Sequence, residues 1–386
     1  MLCTALTMLV GDRAKFLGIV FGLAFAALLM TQQGAIFRGI MVLVYGHVTD
    51  LPQAQVWIGD PGMTEIDTTD MLNERELDNV RAVTGVRWAV PLLRQLVYAR
   101  DPNNRISPIM ALGIDDATLI GTPSAEAILD GSISDLLRPD TLIVDQHGAS
   151  TKLRVQLPSG GSRPLAIGDH LIMNGRRIEV VGICRSTMSM MLYPTAYMMR
   201  SQLSVLTPGS DRAFNHILAG VEEGVDPRTV CTSIDSATGL IARTREEFCR
   251  HIYDFYLYET GIPANFAIAV LLGFIVGAAI AGQTFSQYVS DNRRIFASLK
   301  AMGMRNGGLT RFLLIQAAFS AVLGLGLGLG GAVAFGWLLA GSDLSFRMEP
   351  TLILIAFMAV LMISLAAALF SLRSLLKLDP ALVFRS

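Results

Sequence analysis

Charge is what this chain has least of. Only 16% of its 386 residues are charged, against roughly a quarter in an average soluble domain, which argues against an ordinary cytosolic enzyme. The charge present also cancels: 31 Lys and Arg against 32 Asp and Glu leave a net of -1. There is neither a basic surface for nucleic acid nor an acidic tail, and nucleic acid is excluded as a partner. Histidine is scarce. His47, His147, His170, His216 and His251 show no i, i+4 pair and no neighbouring cysteine, so metal-ligand spacing is absent. Neither a G-x-S-x-G nucleophile turn nor a G-x-x-x-x-G-K-[ST] phosphate loop occurs, so the chain has no Walker motif with which to bind ATP. Of the four cysteines, Cys184, Cys231 and Cys249 fall in the central region. A disulfide between Cys231 and Cys249 and burial as small hydrophobes both fit the sequence.

What is abundant is apolar residues, at 52% of the chain with a mean hydropathy of +0.49. They crowd the first 45 and last 120 positions, in four uncharged stretches: 22 residues at 16–37, 31 at 260–290, 31 at 312–342 and 23 at 350–372. A bilayer core needs about 20 helical residues, because an unsatisfied backbone group in lipid costs several kcal/mol, so all four read as transmembrane helices. The expected spans are 16–37 with continuation toward residue 45, then about 264–285, 312–340 and 350–372. Arg13 and Lys15 before the first run also fit the start of a signal peptide. No small-x-small cleavage site with a polar mature start follows Met30, so an uncleaved helix that outlasts the bilayer is the expectation.

Lys and Arg in the short loops set orientation. Residues 291–311 carry Arg293, Arg294, Lys300, Arg305 and Arg311 against one Asp, whereas the loop around Asp343, Arg347 and Glu349 is net negative. The basic loop, the N-terminus and the tail with Arg373, Lys377 and Arg385 are then cytoplasmic, as four crossings require. Residues 46–262, with 27 acidic and 19 basic residues, become an extracytoplasmic insertion between the first two helices. The cytoplasm keeps about 55 residues, at 1–15, 286–311 and 373–386, too few for a catalytic or signalling domain. The domain expectation is 1–45, 46–262 and 263–386, the last with a cytoplasmic loop at 286–311.

The insertion reads as mixed α+β. Strand-like runs lie at 54–58, 86–99, 108–114, 141–144 and 216–221, and Asn174-Gly175 joins runs 170–173 and 176–183 in a hairpin of type I′. Residues 69–83 have helical spacing. Thr244 and Glu247 form a capping box opening a helix over 245–258, which is expected to run straight into the second membrane helix. Met188, Met190 and Met191 suggest an adaptable outer helix face, or core packing.

Gly273 and Gly277, and the run containing Gly324 and Gly328, sit inside apolar segments without a flanking strand, so they read as small residues at close helix contacts. Arg38 falls near the outer end of the first helix, where snorkelling or exposure accounts for it. The other three spans hold no ionisable residue, which weighs against an ion-coupled carrier.

Residues 291–304 are short, basic and amphipathic, with Ile295, Phe296, Leu299 and Met302 at helical spacing. A helix on anionic membrane lipid, or a positive-inside anchor, are the plain readings. Three segments nevertheless resemble the MacB/FtsX-type ABC transporter permease family: Gly11-Asp-Arg-Ala-Lys-Phe-Leu-Gly-Ile-Val, Ile295-Phe-Ala-Ser-Leu-Lys-Ala-Met-Gly303 and Lys377-Leu-Asp-Pro-Ala-Leu-Val-Phe-Arg385. The middle one is similar to the family's coupling element E-x-G-x-L-x-A-[IM]-G, with Ile295 and Ala297 in place of the acidic residue and the glycine.

The resemblance implies a type VII transmembrane subunit: a stand-alone permease that forms a homodimer beside a separate cytoplasmic ABC ATPase. It implies that the chain binds no cofactor, ATP and Mg belonging to the ATPase. Arg293, Arg294, Phe296, Leu299, Lys300, Met302 and Gly303 would contact that ATPase. ATP-driven closure would then reshape the periplasmic domain, a mechanotransmission used for export or extraction, with a periplasmic adaptor (membrane fusion protein) as a further partner. An FtsX-like regulator of a cell-wall hydrolase is the alternative, although such proteins tend to have a smaller outer domain and a long cytoplasmic N-terminus. A membrane-anchored periplasmic enzyme is the third reading. The expected location is the bacterial inner membrane, multi-pass, with both termini cytoplasmic.

Overall fold

The computed structural model describes residues 2–67, 70–158, 160–207, 213–339 and 344–376. Thr69, Asp343 and the Lys377 to Arg385 ending that carries part of the resemblance lie outside the described residues. In chain order the first elements are α1 (Leu2–Gly11), α2 (Arg13–Thr49), β1 (Val56–Gly59), α3 (Glu74–Arg81), β2 (Val86–Arg100) and β3 (Ile106–Ile114). There follow β4 (Ile128–Gly131), β5 (Thr141–Asp145), α4 (Gln146–Ser150), β6 (Val155–Gln156), β7 (Ser162–Arg163), β8 (His170–Met173) and β9 (Arg176–Cys184). Next come β10 (Thr195–Met199), α5 (Arg200–Leu206), β11 (His216–Val221), α6 (Pro227–Thr238), β12 (Ile241–Thr244) and α7 (Arg245–Tyr258). The chain ends with α8 (Ile262–Asp291), α9 (Arg293–Ala301), α10 (Asn306–Leu338) and α11 (Pro350–Leu376). It divides into two compact units, unit 1 (Met1–Gly39 with Gly261–Ser386) and unit 2 (Ile40–Thr260). Among the described residues four helices are long and apolar enough to cross a membrane, and the mixed-sheet domain is inserted between the first and second of them in chain order.

In unit 1 the buried positions of α2, Ile19, Leu23, Ala26, Ala27 and Met30, recur at the helical period and form one stripe. It is closed by Ala281, Phe285 and Tyr288 of α8, by Phe312, Ala317 and Ala321 of α10, and by Val360 and Ile363 of α11. Four glycines set the distance. A Cβ at Gly277 would lie 2.4 Å from Ala26 Cβ, and one at Gly273 2.9 Å from Leu29 Cβ. One at Gly324 would lie 2.6 Å from Leu23 Cβ, and one at Gly328 2.5 Å from Ala27 Cβ. Polar side chains in the bundle bond to helix carbonyls, Thr31 Oγ1 to Ala27 O at 2.6 Å and Ser364 Oγ to Ala317 O at 2.7 Å, which spares them an unpaired state in lipid.

Arg38 is not simply exposed: its Nε meets Glu349 Oε1 at 2.6 Å. The same stretch is strapped to α2 by Arg347 N–H donating to Ala35 O at 3.0 Å. The expected loop at 286–311 is helical apart from Asn292 and residues 302–305. The expected continuous helix through 245–285 is two helices, because Glu259, Thr260 and Gly261 are not helical and Pro263 in the first turn of α8 marks a new start.

Unit 2 carries a sheet of order β12-β1-β11-β2-β3-β10-β5-β9-β4, mostly antiparallel, with β10 parallel to β3 and β5 parallel to β9. Because β8 pairs with both β2 and β9, the pairings β2-β3-β10-β5-β9-β8 close into a ring. Alternation fills its inside with Val97, Ala99, Ile109, Ala111, Leu142 and Val144 among others. The long strand β2 serves two partners, its first half β11 and its second half β3. A second cluster, built on Trp57, Leu92, Tyr197, Phe248 and Ile252, includes Val44 and Val48 of α2. Asn174 and Gly175 take φ of 47° and 82°, the left-handed pair that a type I′ hairpin turn needs. The helix expected over 69–83 is the shorter α3, started by the Asn73 and Glu76 capping box. Residues 185–194, including Met188 to Met191, are irregular, correcting the helix-face reading. Asp50 fixes this segment by accepting from Ser186 Oγ at 2.9 Å and Thr187 Oγ1 at 3.0 Å. Cys184, Cys231 and Cys249 are free thiols.

Gly277→Ala and Gly328→Ala should each destabilise the intact protein by about 1–3 kcal/mol through overpacking. Gly326→Ala and Gly330→Ala, where a Cβ meets open space, should be neutral or stabilising by helix propensity. Thermal unfolding in detergent compares the two pairs.

Candidate functional site

The segment between α8 and α10 is built by two local devices. Asn292 ends α8 with its Nδ2 donating to Tyr288 O at 2.9 Å, and its own carbonyl accepts from Ile295 and Phe296 N–H to start α9. At the other end Gly303 N–H bonds to Lys300 O and Met304 N–H to Leu299 O, both at 3.1 Å. With Gly303 at φ 95°, this is a Schellman motif, which requires a residue without Cβ strain at that point.

The sequence-predicted contact residues divide between two faces. Phe296 is 1% exposed and meets the Phe312 ring edge-on at 6.1 Å between centroids. Leu299 packs against the same core. These two residues anchor α9 to the bundle and are not free to meet a partner, which corrects the reading of Phe296 as a docking side chain. Arg293, Arg294 and Gly303 are exposed and Lys300 is half-buried, while Ile295 and Met302 are 48% and 76% exposed. Ile295, which the sequence reading had placed in the apolar stripe, and Met302 are thus exposed on one side of α9 with Arg294 next to them, while Arg293 is exposed on another side of the helix.

Beneath α9 lies a polar junction that sequence reasoning missed. Lys15 Nζ bridges Asp12 Oδ2 at 2.8 Å and Asp291 Oδ2 at 2.6 Å. Buried Gln316 spends both amide hydrogens, on Ala5 O at 2.8 Å and Tyr288 Oη at 2.9 Å. The starts of α1 and α2, the end of α8 and the first half of α10 are held together. The basic residue of the Gly11 to Val20 motif was visible in sequence; its partner 276 residues away was not.

Unit 2 holds a second polar constellation, around the buried guanidinium of Arg94. Arg94 is ion-paired with Asp67, and its Nη2 lies 3.1 Å from His47 Nδ1. His47 Nε2 lies 2.9 Å from Thr195 Oγ1, and Thr195 N–H donates to Asp145 Oδ2 at 2.7 Å. Desolvation pulls Arg94 down to about 10 and lifts the Asp145 carboxyl to about 6. His216, buried with Nε2 on Ile66 O at 2.9 Å, falls to about 4, again mainly by burial, with Arg94 adding to it. Among the described residues no group of three or more His, Cys, Asp or Glu is placed to hold a metal ion. Neither constellation pairs an accessible nucleophile with a base, so the chemistry on offer is docking and positioning.

Residues 267–380 match the FtsX-like permease C-terminal family, so the membrane part that carries α9 is of FtsX-like permease type. No curated protein sequence matches the chain significantly. Among solved structures, the chain is similar to the extracellular domain of the noncanonical ABC-type transporter YknZ from Gram-positive bacteria. That likeness has 14% identity and a TM-score of 0.35, over 48% of this chain and 92% of that one. It is also similar to the periplasmic region of MacB from Actinobacillus actinomycetemcomitans, at 11% identity and TM-score 0.36, over 53% of this chain and 97% of that one.

Two predictions follow from these networks. Lys15→Asp should speed tryptic cleavage at Lys300 and Arg305 in the intact, detergent-solubilised protein several-fold, and the double swap Lys15→Asp with Asp291→Lys should restore protection. Mass spectrometry of the fragments checks it, and equal rates in all three would refute the junction's role. For pH, folded Asp145 keeps a proton that the unfolded chain releases, so its contribution falls as pH rises from about 4 to 6; folded His216 refuses a proton that the unfolded chain takes, so its contribution rises from about 4 to 6.5. The two slopes oppose. Asp145→Asn should therefore show stability rising with pH across that window more steeply than wild type, by up to about 1.4 kcal/mol per pH unit, read from fluorescence-detected unfolding.

Proposed function

We propose that the chain is the transmembrane permease subunit of an ABC transporter, working as a homodimer with a separate cytoplasmic ATPase that docks on α9. The observation that supports this most is the arrangement of α9 itself. Phe296 and Leu299 fasten it into the membrane bundle while Arg293, Arg294, Ile295 and Met302 face outward. A helix fixed on one side and exposed to solvent on the other is suited to receive a push and pass it to α8 and α10. Arginine and methionine are also the residue types enriched at protein interfaces.

The FtsX-like match over residues 267–380 supports the same assignment. With α9 cytoplasmic, the inserted sheet domain is extracytoplasmic and the protein sits in the inner membrane with both termini inside. ATP and Mg are then handled by the partner chain. Work done in the cytoplasm reaches unit 2 along the chain by α2, whose residues belong to unit 1 up to Gly39 and to unit 2 beyond it. Export or extraction of a substrate already outside the cytoplasm follows, with a periplasmic adaptor as a further partner.

Co-purification with the candidate ATPase tests this. Ile295→Asp with Met302→Asp, and Arg293→Glu with Arg294→Glu, should each reduce complex recovery at least about tenfold, the equivalent of about 1.4 kcal/mol, while leaving the thermal stability of the permease unchanged. Phe296→Ala should instead lower stability, by about 3–5 kcal/mol. Undiminished recovery with both surface variants would overturn the docking assignment.

A further inference from the structure

Two helical segments of unit 2 converge on Arg94 and the loop that pairs with it. The first is the part of α2 beyond Gly39, which carries His47; the second is α7, which carries Tyr256. Arg94, in the middle of β2, is 5% exposed. A guanidinium only donates, so His47 Nδ1 must accept from Arg94 Nη2 at 3.1 Å, which leaves the ring proton on Nε2. That proton points at Thr195 Oγ1, 2.9 Å away, and Thr195 in turn donates to Thr187 O at 3.2 Å. One end of α2 is thereby tied, through a single tautomer, to β10 and to the irregular segment that Asp50 also holds.

On its other side Arg94 is ion-paired with Asp67. Two residues earlier in the same loop, Glu65 accepts from Tyr256 Oη of α7. Between them the Ile66 carbonyl accepts from His216 Nε2, and Ile66 and Met63 are buried in the cluster that contains Phe248 and Ile252 of α7. The loop of residues 60–67 is therefore a bridge with one foot on Arg94 and the other on α7. If packing were all that was needed here, an apolar side chain would serve better, since burying a guanidinium is costly and its pairing barely repays the desolvation. What a charge with two different partners supplies is a fixed geometry between the elements that hold those partners.

We propose that Arg94 is a positioning residue that fixes the His47 end of α2 relative to α7, through the 60–67 loop, so that displacement of one helix is passed to the other. The proposal rests on the permease reading for the source of that displacement; the fixed spacing does not depend on it.

The test uses the intact protein in nanodiscs, with its four native cysteines replaced and spin labels at Thr49→Cys on α2 and Arg250→Cys on α7. Wild type should give one narrow label-to-label distance distribution. Arg94→Met should widen it about twofold, Asp67→Asn with Tyr256→Phe should do the same, and Arg94→Lys should rescue only in part, because a point charge cannot serve both sides. Where Arg94→Met does not fold, Asp67→Asn with Tyr256→Phe carries the test, since Arg94 then loses its counter-ion but keeps His47 Nδ1 and the amide oxygen at position 67 as acceptors. A distribution unchanged in folded Asp67→Asn with Tyr256→Phe would overturn the proposal. With the ATPase bound, ATP should shift the wild-type distance, and Arg94→Met should lose the shift while ATP hydrolysis continues. An Arg94-dependent resting distance with no ATP response in wild type would count for the positioning role and against the permease reading.

Discussion

The closeness of α2 to its neighbours is the constraint on which unit 1 depends. In lipid there is no hydrophobic force to drive helices together, so association relies on van der Waals contact at short range. The close contacts on α2 form two adjacent rows. Gly22 and Ala26 face α8, where Gly277 would place a Cβ 3.0 Å from the Gly22 carbonyl oxygen; Leu23 and Ala27 face α10 at Gly324 and Gly328. The rows are spaced four residues apart on both partners, so each helix pair meets along a ridge rather than at a point. An unmatched rotation of α2 would bring a bulky side chain against a site that has room for none. The helix is held in one rotational setting by shape alone, without an ion pair in the middle of the membrane.

Polar contacts are kept to places where that shape constraint ends. Arg38 and Glu349 pair where the apolar run of α2 stops, and Lys15 with Asp12 and Asp291 where it begins. Between these limits hydroxyls such as those of Thr31, Ser364 and Ser371 return a bond to a helix carbonyl, and Gln316 uses both its donors, while Ser320 Oγ and Gln316 Oε1 are buried without a partner among the described residues. This division has a physical basis. A charge in the hydrocarbon region is expensive wherever it points, whereas at a helix end the same pair is only partly desolvated and adds direction. The packing rows set how far apart the helices lie, and the terminal pairs set how far each can slide along its axis.

Several elements were legible in the sequence because they express a local rule. Four spans follow from uncharged length, the hairpin from Asn174-Gly175, and α7 from the Thr244 and Glu247 capping box, which the structure reproduces with Thr244 Oγ1 on Glu247 N–H at 3.2 Å. The strand β10 was missed because both its faces are covered, Ala196 and Met198 in one core cluster and Tyr197 in the other, so no alternation appears. The helix α6 carried its own signals, Asp226 as N-cap, Pro227 in the first turn and Gly239 at φ 73° after the end, which a pattern search weighted toward apolar spacing passed over. The Arg94 network was not legible in principle. His47, Glu65, Asp67, Arg94, Thr195 and Tyr256 come from two helices, a loop and two strands and are brought together by tertiary packing, which no spacing in the sequence encodes.

The two faces of α9 show how far periodicity reaches. At about 100° per residue, Ile295, Leu299 and Met302 fall within about 60° of one another, while Phe296 lies about 100° round from Ile295. Counting all four as one apolar stripe hides this separation. In the structure the Phe296 side is turned into the bundle, Leu299 lies at its edge, and the Ile295 and Met302 side remains outward beside Arg294. An amphipathic helix normally buries its apolar face and leaves a polar one in water. Here one apolar strip is already used for anchoring and a second, of Ile295 and Met302, is left exposed beside Arg294. The anchoring strip ties the helix to the bundle, and the remaining strip is the surface on which the proposed ATPase would dock. A helix that lacked either would be a mere loop or a mere handle.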